Sequence, residues 1–242
     1  MIDLDIETIP GDLSKQKEDL QKIIDEGNGK CNLKKDQLVE ELGDPKLKYK
    51  NVDELKAIWI STFPEKAAMD EYKSRSLNGD YGQICSIAFS RIDSDEIHSF
   101  SLDTCKNESE IISLTSLTIA SLCARKDGEI SRTEFVGHNI TFDLQFLFKR
   151  CVLNKIRFPQ RLPFNGWHGK DYFCTSQAWN GKNRISQDKL AKLLGFEGKP
   201  DAIDGSKVYD YAMEGRYKEI ETYNIDDVRQ NKEIYKILKE YS

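Results

Sequence analysis

Met1-Ile-Asp-Leu-Asp-Ile-Glu-Thr8 sets apolar and acidic residues in alternation. A β-strand points successive side chains to opposite faces. Ile2, Leu4 and Ile6 therefore share one face, and Asp3, Asp5 and Glu7 the other. Pro10-Gly11 ends the strand. Three like charges on one strand face repel unless something cationic sits among them. Asp5 and Glu7, two residues apart, project side by side with Cα atoms roughly 6–7 Å apart, a spacing that suits sharing a pair of cations. A bare Asp-x-Glu also describes a polar, solvated strand edge, so the rest of the chain has to decide between the two.

Beyond this strand the texture changes. Residues 11–80 are dense in charge of both signs and in helix formers. Leu20, Ile23 and Ile24, then Leu38 and Leu42, have helical spacing, and Gly27-Asn28-Gly29 and Gly43-Asp44-Pro45 read as breaks. Two or three helices are expected, inserted after the first strand, with Trp59, Ile60 and Phe63 docking the segment on the main body. Strands return at 81–90 and 96–102, joined by a turn at Asp93-Ser94-Asp95. Residues 108–125 read as an amphipathic helix capped by Asn107. A strand at 133–139, a helix at 142–150, a short strand at 171–175 and helices at 186–194, 206–215 and 217–240 complete the chain. An opening strand, a hairpin and then alternating helices and strands give an α/β fold, a mixed sheet covered by helices. Residues 1–242 read as a single domain with 11–80 as a helical insertion.

The chain is 38 % hydrophobic and 32 % charged, which marks a globular protein and not a disordered one. No apolar run is long enough to cross a bilayer, and the opening residues lack a basic-then-apolar leader. The six cysteines are scattered without a CxxC pair, as expected of reduced thiols in a cytoplasmic protein and not of a zinc site or disulfide framework. The net charge of −5 argues against a protein that coats nucleic acid by bulk attraction. It leaves room for an acidic active site whose bound cations reverse the local sign.

Two further acidic motifs stand far from the first. In Gly137-His-Asn-Ile-Thr-Phe-Asp143 a strand gives way to a helix, with an Asp at the junction. Asp143 could simply be an acid favoured by the helix dipole, and Asn139 an ordinary turn residue. In Tyr223-Asn-Ile-Asp-Asp227 the tyrosine and the last aspartate are four apart on one helix face. Ile220, Val228 and Ile234 lie near that side, where the helix should meet the sheet. An aspartate on such an edge needs a partner or a metal. Arg229 or Lys232 could supply the partner.

Together, Asp5-x-Glu7, Asn139-x-x-Phe142-Asp143 and Tyr223-x-x-x-Asp227 resemble the three exonuclease motifs of the DEDD superfamily, in the same order. The tyrosine is similar to that of the DEDDy branch, which includes the proofreading domains of family B DNA polymerases. Leu190-Ala-Lys-Leu-Leu-Gly195, Gly198-Lys199, Asp204-Gly-Ser-Lys-Val208 and Glu219-Ile220 add a likeness to stand-alone exonucleases related to those domains. The similarity covers the first ten residues and most of 81–240, and 11–80 has no counterpart in it. It implies an RNase H-like sheet and a 3′→5′ exonuclease that trims single-stranded DNA to 5′-mononucleotides. Phosphodiester hydrolysis needs a nucleophile, neutralisation of phosphorane-like charge and help for the departing oxygen, which two divalent cations supply. Carboxylate ligands suit Mg²⁺ or Mn²⁺, and the Cys and His ligands that zinc prefers are missing from the set. By the resemblance Asp5 bridges both ions, Glu7 and Asp227 hold the first, Asp143 holds the second largely through water, and Tyr223 aims the attacking water. Asn139 and Phe142 are the corresponding single-strand contacts, although Phe142 could instead pack on Phe146 in the core; Thr8 and Lys199 are further candidate substrate contacts, with an ordinary strand-end threonine and a solvated lysine as the other readings.

His98 and Asp103 have the spacing of the histidine-type third motif but precede the second motif, so His98 reads as an edge residue. Counting back from Asp227, the histidine-type position is Thr222. Asp3 is the other candidate on the first strand, but only Asp5 has the glutamate two residues on. Three other readings stay open: an RNA 3′-end exonuclease, a catalytically silent nucleic-acid-binding module, and a docking platform in which 11–80 holds a replication or repair partner.

Overall fold

The protein is described by a computed structural model covering residues 1–125, 127, 129–196 and 205–241. The elements run β1 (Ile2–Ile9), α1 (Gln16–Asp25), α2 (Lys35–Leu42), α3 (Val52–Thr62), α4 (Pro64–Ser74), β2 (Gln83–Arg91) and β3 (Ile97–Ser101). They continue with α5 (Glu108–Leu122), β4 (Phe135–Gly137), α6 (Ile140–Leu153), β5 (Tyr172–Cys174), α7 (Thr175–Asn180), α8 (Gln187–Leu193), α9 (Val208–Met213) and α10 (Tyr217–Glu240). The chain divides into two compact units, one of residues 1–8 and 83–242, the other of residues 9–82. No helix among the described residues is long and apolar enough to cross a membrane. All six cysteines are buried free thiols.

The larger unit is built on a five-stranded sheet in the order β3-β2-β1-β4-β5. β2 and β3 form the expected antiparallel hairpin, and β1, β4 and β5 run parallel. The N–H of Ile92 donates to the carbonyl of Met1, and the Cys85 thiol donates to the carbonyl of Glu7, so β2 runs opposite to β1. The mixed α/β sheet flanked by helices is thus the architecture that the alternating pattern implied.

Each side of β1 meets a different layer. Ile2, Leu4 and Ile6 join Ile84, Phe89, Phe135, Ile111, Leu144 and Leu147 in one apolar core beneath α5 and α6. At roughly 25 cal/mol per Å² of apolar surface removed from water, side chains of this kind contribute about 1.5–3 kcal/mol each. α5 starts where the Asn107 side chain accepts the N–H of Glu110, as the sequence indicates, but it stops at Leu122. One buried acid ties this layer together. Glu108 accepts the N–H of Ile84 at 2.8 Å and a two-pronged contact from Arg150 at 2.8 and 2.7 Å.

The other face is covered by α10, and the seam there is polar. Asn231 donates to Asp3 at 2.8 Å, Asn224 donates to Asp5 at 2.6 Å, and Ser99 and Ser101 donate to Glu221. Positions 224 and 231 of the helix thus meet positions 5 and 3 of the strand, so α10 runs antiparallel to β1. Asp3 is fully buried and its Oδ1 has no hydrogen-bond partner. Burial pushes its carboxyl well above the usual range, against the lowering influence of Asn231 and Lys232.

Residues 9–82 form more helices than the two or three expected, four α-helices with short 3-10 turns. Trp59, Ile60 and Phe63 pack in this unit's own core with Leu38, Leu55 and Ala67. The Trp59 indole N–H donates to Glu41 at 2.9 Å, and its ring lies 5.8 Å from that of Phe63. Gly43 closes α2 in the left-handed conformation at φ 68°, which glycine adopts without strain.

Two outcomes test this packing. At Gly137 a Cβ would fall 2.8 Å from the carbonyl oxygen of Leu4 and 2.7 Å from Ile140. Gly137→Ala should therefore destabilise the fold by about 1–3 kcal/mol, read as a lower denaturant midpoint at unchanged m. Asp3 binds its proton more tightly folded than unfolded. Its contribution to stability is full below the unfolded carboxyl pKa of about 3.9 and is lost as pH rises through the folded value. Asp3→Asn should flatten the fall in melting temperature as pH rises above the unfolded carboxyl pKa of about 3.9, measured in chelator. An unchanged slope would show that Asp3 does not carry it.

Candidate active site

The acidic residues gather where β1 and β4, lying side by side, reach their carboxyl ends. The β1–β4 pairing covers only Ile2↔Phe135 and Asp3↔Val136. Beyond it the β4 chain turns into α6, and the turn is made by Asn139 in the left-handed conformation at φ 64°. Asparagine is among the few residues that adopt it readily. The helix therefore starts at Ile140, two residues earlier than the sequence suggests, and carries Asp143 in its first turn. There the Asp143 carboxylate accepts the N–H of Ile6 at 3.3 Å, a β1 group beyond the last β4 pair. Asp143 is buried, and that burial pushes its carboxyl well above the usual range. The N–H groups of Ile6 and of Asp143 itself oppose the rise, and the charges of Asp227 and Asp3 add to it.

α10 brings the third motif to the same place. Ligand oxygens of Asp5, Glu7 and Asp227 all lie within 4.8 Å of one another. Asp5 and Glu7 are half-buried and Asp227 is buried. Asp143 stands outside that group of three. Tyr223 sits one helical turn before Asp227. Burial first, then the charges of Asp227, Glu7 and Asp5, keep its phenol strongly protonated, and it hydrogen-bonds to Asp227.

Asn224 is the residue that sequence reading missed. Fully buried, it donates to Asp5 Oδ2 at 2.6 Å and accepts from the Ser86 hydroxyl at 2.9 Å. This fixes one carboxylate oxygen of Asp5 on a donor held by β2. The signal was the pair Asn224 and Asn231, seven apart and so on one helix face. Gln187 of α8 adds a bond to the main-chain carbonyl of Asp227 at 2.8 Å.

The partners suggested for Asp227 go elsewhere: Arg229 pairs with Asp226, and Lys232 donates to Ser90 at 3.0 Å and to the carbonyl of Ser94. Thr8 is half-buried at the end of β1. Phe142 is half-buried beside the core, its ring 5.8 Å from that of Phe146. The Asn139 side chain makes no capping bond to α6. Lys199, with Gly198 and Asp204, lies outside the described residues. His98 is on the edge strand β3, stacked on Phe89 at 5.5 Å, and the Thr222 hydroxyl turns back to the carbonyl of Lys218. His138 bridges Thr175 at 3.0 Å and the carbonyl of Ile185 at 2.8 Å. Thr175 in turn donates to Asn231 at 2.6 Å.

Chemically, three carboxylates this close repel one another, and an all-oxygen donor set of this kind suits a hard divalent cation. The residues present fit such an ion: Asp5, Glu7 and Asp227 form the cluster, and Asp143 and Tyr223 are beside it.

A search of curated proteins found no match. A family model does match, over residues 76–236, and its description is "predicted 3′-5′ exonuclease related to the exonuclease domain of PolB". The matched range contains Asn139, Asp143, Tyr223 and Asp227, and it begins after the strand that carries Asp5 and Glu7. It covers more than half of the 242 residues, and the mixed sheet flanked by helices agrees with it. The chain belongs to this family of 3′-5′ exonucleases related to the exonuclease domain of PolB.

Proposed function

We propose that the protein removes nucleotides from the 3′ end of single-stranded DNA, releasing 5′-mononucleotides, with two Mg²⁺ or Mn²⁺ ions held by Asp5, Glu7, Asp143 and Asp227. One observation carries this reading: Asp5, Glu7 and Asp227, from two distant parts of the chain, meet within 4.8 Å in a member of a 3′-5′ exonuclease family. When bound, the cations supply a water of lowered pKa and neutralise charge on the phosphate and the departing 3′-oxygen.

The chain's own residues do the rest. Asn224 holds one oxygen of Asp5. The N–H of Ile6 holds Asp143 in the same way. Tyr223 keeps its phenolic proton, so it acts as an orienting group at Oη and not as a base. Its place one turn from Asp227 suits a hydrogen bond to the attacking water. In this reading Thr8, Asn139 and Phe142 are the contacts for the terminal nucleotide. A base stacked on Phe142 would contribute about 1–3 kcal/mol to binding.

Cleavage of a 5′-labelled single strand tests these assignments. Asp143→Ala and Asp227→Ala should each abolish metal-dependent trimming while helical content is kept; trimming at the wild-type rate in either would contradict the site. Tyr223→Phe should lower the rate without abolishing it. Asn224→Ala should raise the Mn²⁺ concentration for half-maximal rate by about 10–100-fold, the usual cost of removing a group that orients a ligand. An unchanged requirement would show that Asn224 serves only the fold. Parallel digests of matched DNA and RNA strands separate the substrates, and faster loss of RNA would overturn the assignment to DNA.

A further inference from the structure

Charge is unevenly spread along this acidic chain. Between residues 144 and 170 lie Lys149, Arg150, Lys155, Arg157, Arg161 and Lys170, and no aspartate or glutamate. Arg150 is occupied by Glu108. Lys155, Arg157, Arg161 and Lys170 are exposed, and Lys155 and Arg157 make no ion pair among the described residues. Aromatic residues are interleaved with these cations. The outer face of α6 and the loop after it enclose a groove of about 380 Å³, lined by Phe148, Val152, Phe158, Phe164 and Arg161 among others. Phe148 is 44 % exposed and its ring lies 5.1 Å from that of Phe164. Leaving a phenylalanine pair at a surface amid positive charge has a use when something flat and anionic covers it.

The groove belongs to the same helix that begins at the candidate centre. At about 1.5 Å and 100° per residue, Phe148 and Val152 lie about 7.5 and 13.5 Å along the axis from Asp143 and about 140° and 180° around it, so a strand would pass over α6 to reach them. We propose that this groove binds single-stranded nucleic acid on the 5′ side of the terminal nucleotide, with bases on Phe148 and Phe164 and phosphates on Arg157 and Arg161. The assignment rests on the exonuclease reading of the carboxylate centre, which requires that a strand leave that centre in some direction. Within 144–170 phosphates meet no aspartate or glutamate, and the acid that follows, Asp171, is bonded to Arg132 and attracted by Arg161 and Lys170. An acidic peptide would match the arginines but would leave the exposed ring of Phe148 uncovered.

The test is strand capture by the full chain, read as anisotropy of 5′-fluorescein-labelled oligothymidylate in chelator, so that no turnover occurs. Arg157→Ala with Arg161→Ala should weaken binding about tenfold or more. It should also reduce the slope of log affinity against log salt by about 1.4, because each phosphate contact on a single strand contributes about 0.7. Phe148→Ala, at an exposed position, should weaken binding and leave the slope unchanged. Wild-type affinity and slope in the arginine variant would overturn the proposal. So would capture of polyglutamate as tight as capture of oligothymidylate, since charge alone would then explain the groove. The two readings fail separately: an Asp227→Ala chain that still cuts removes the centre, and an arginine variant with full capture removes the groove.

Discussion

Like charges held close together have to be held by something. At about 4 Å two carboxylates repel by about 4 kcal/mol at the effective dielectric of a protein surface. This protein places three of them within 4.8 Å of one another and a fourth beside them. The groups that hold them are fixed donors. Asn224 grips Asp5, the N–H of Ile6 grips Asp143, and Asn231 grips Asp3 one strand pleat further back. A hydrogen bond to a charged group contributes about 1.5–3 kcal/mol, comparable with one repulsive pair but not with several. These bonds therefore fix where the negative charge is felt without cancelling it. In the proposed mechanism a divalent cation completes the balance.

The seam between β1 and α10 sets the geometry of everything at the site. A helix laid on a sheet through leucines can slide or rotate by small amounts at little cost. A helix laid on buried acids and amides cannot, because turning it by one residue, about 100°, would take Asn231 from Asp3 in a place closed to water and Asn224 from the half-buried Asp5. Asn224 and Asn231 thus specify the register that brings Tyr223 and Asp227 to the end of β1. The apolar residues Ile220, Val228 and Ile234 are fully buried on the same helix and supply attraction, while the polar contacts supply placement. The polar seam has a cost that is visible at Asp3, whose Oδ1 is left unpaired and whose carboxyl is pushed toward its neutral form.

Much of this was legible in the residues themselves. Alternation over Met1–Thr8 gave the first strand and its two faces, and periodicity gave α10 its bounds, 217 to 240. The insertion was legible as helical, but the core that Trp59 and Phe63 join within it was not, since a sequence does not say which core a tryptophan enters. α7 is six residues long, too short to leave a periodic signal. Alternation alone could not separate Asp3 from Asp5. They share a face, and only the position of α10 makes one a fully buried carboxyl and the other a member of the cluster. The amides of α10 escaped because a packing face was sought among apolar residues. The acid-free run at 144–170 was present as composition, but its meaning depended on the groove that α6 and its loop enclose.

The most direct measurement is anomalous scattering from a crystal soaked with Mn²⁺ and a nucleoside monophosphate. Two peaks are expected, one among the carboxylates of Asp5, Glu7 and Asp227 and one between Asp5 and Asp143, with the phosphate against both and the Tyr223 hydroxyl facing it. Mn²⁺ bound elsewhere, or no peak at a concentration that supports cleavage, would contradict the two-cation centre.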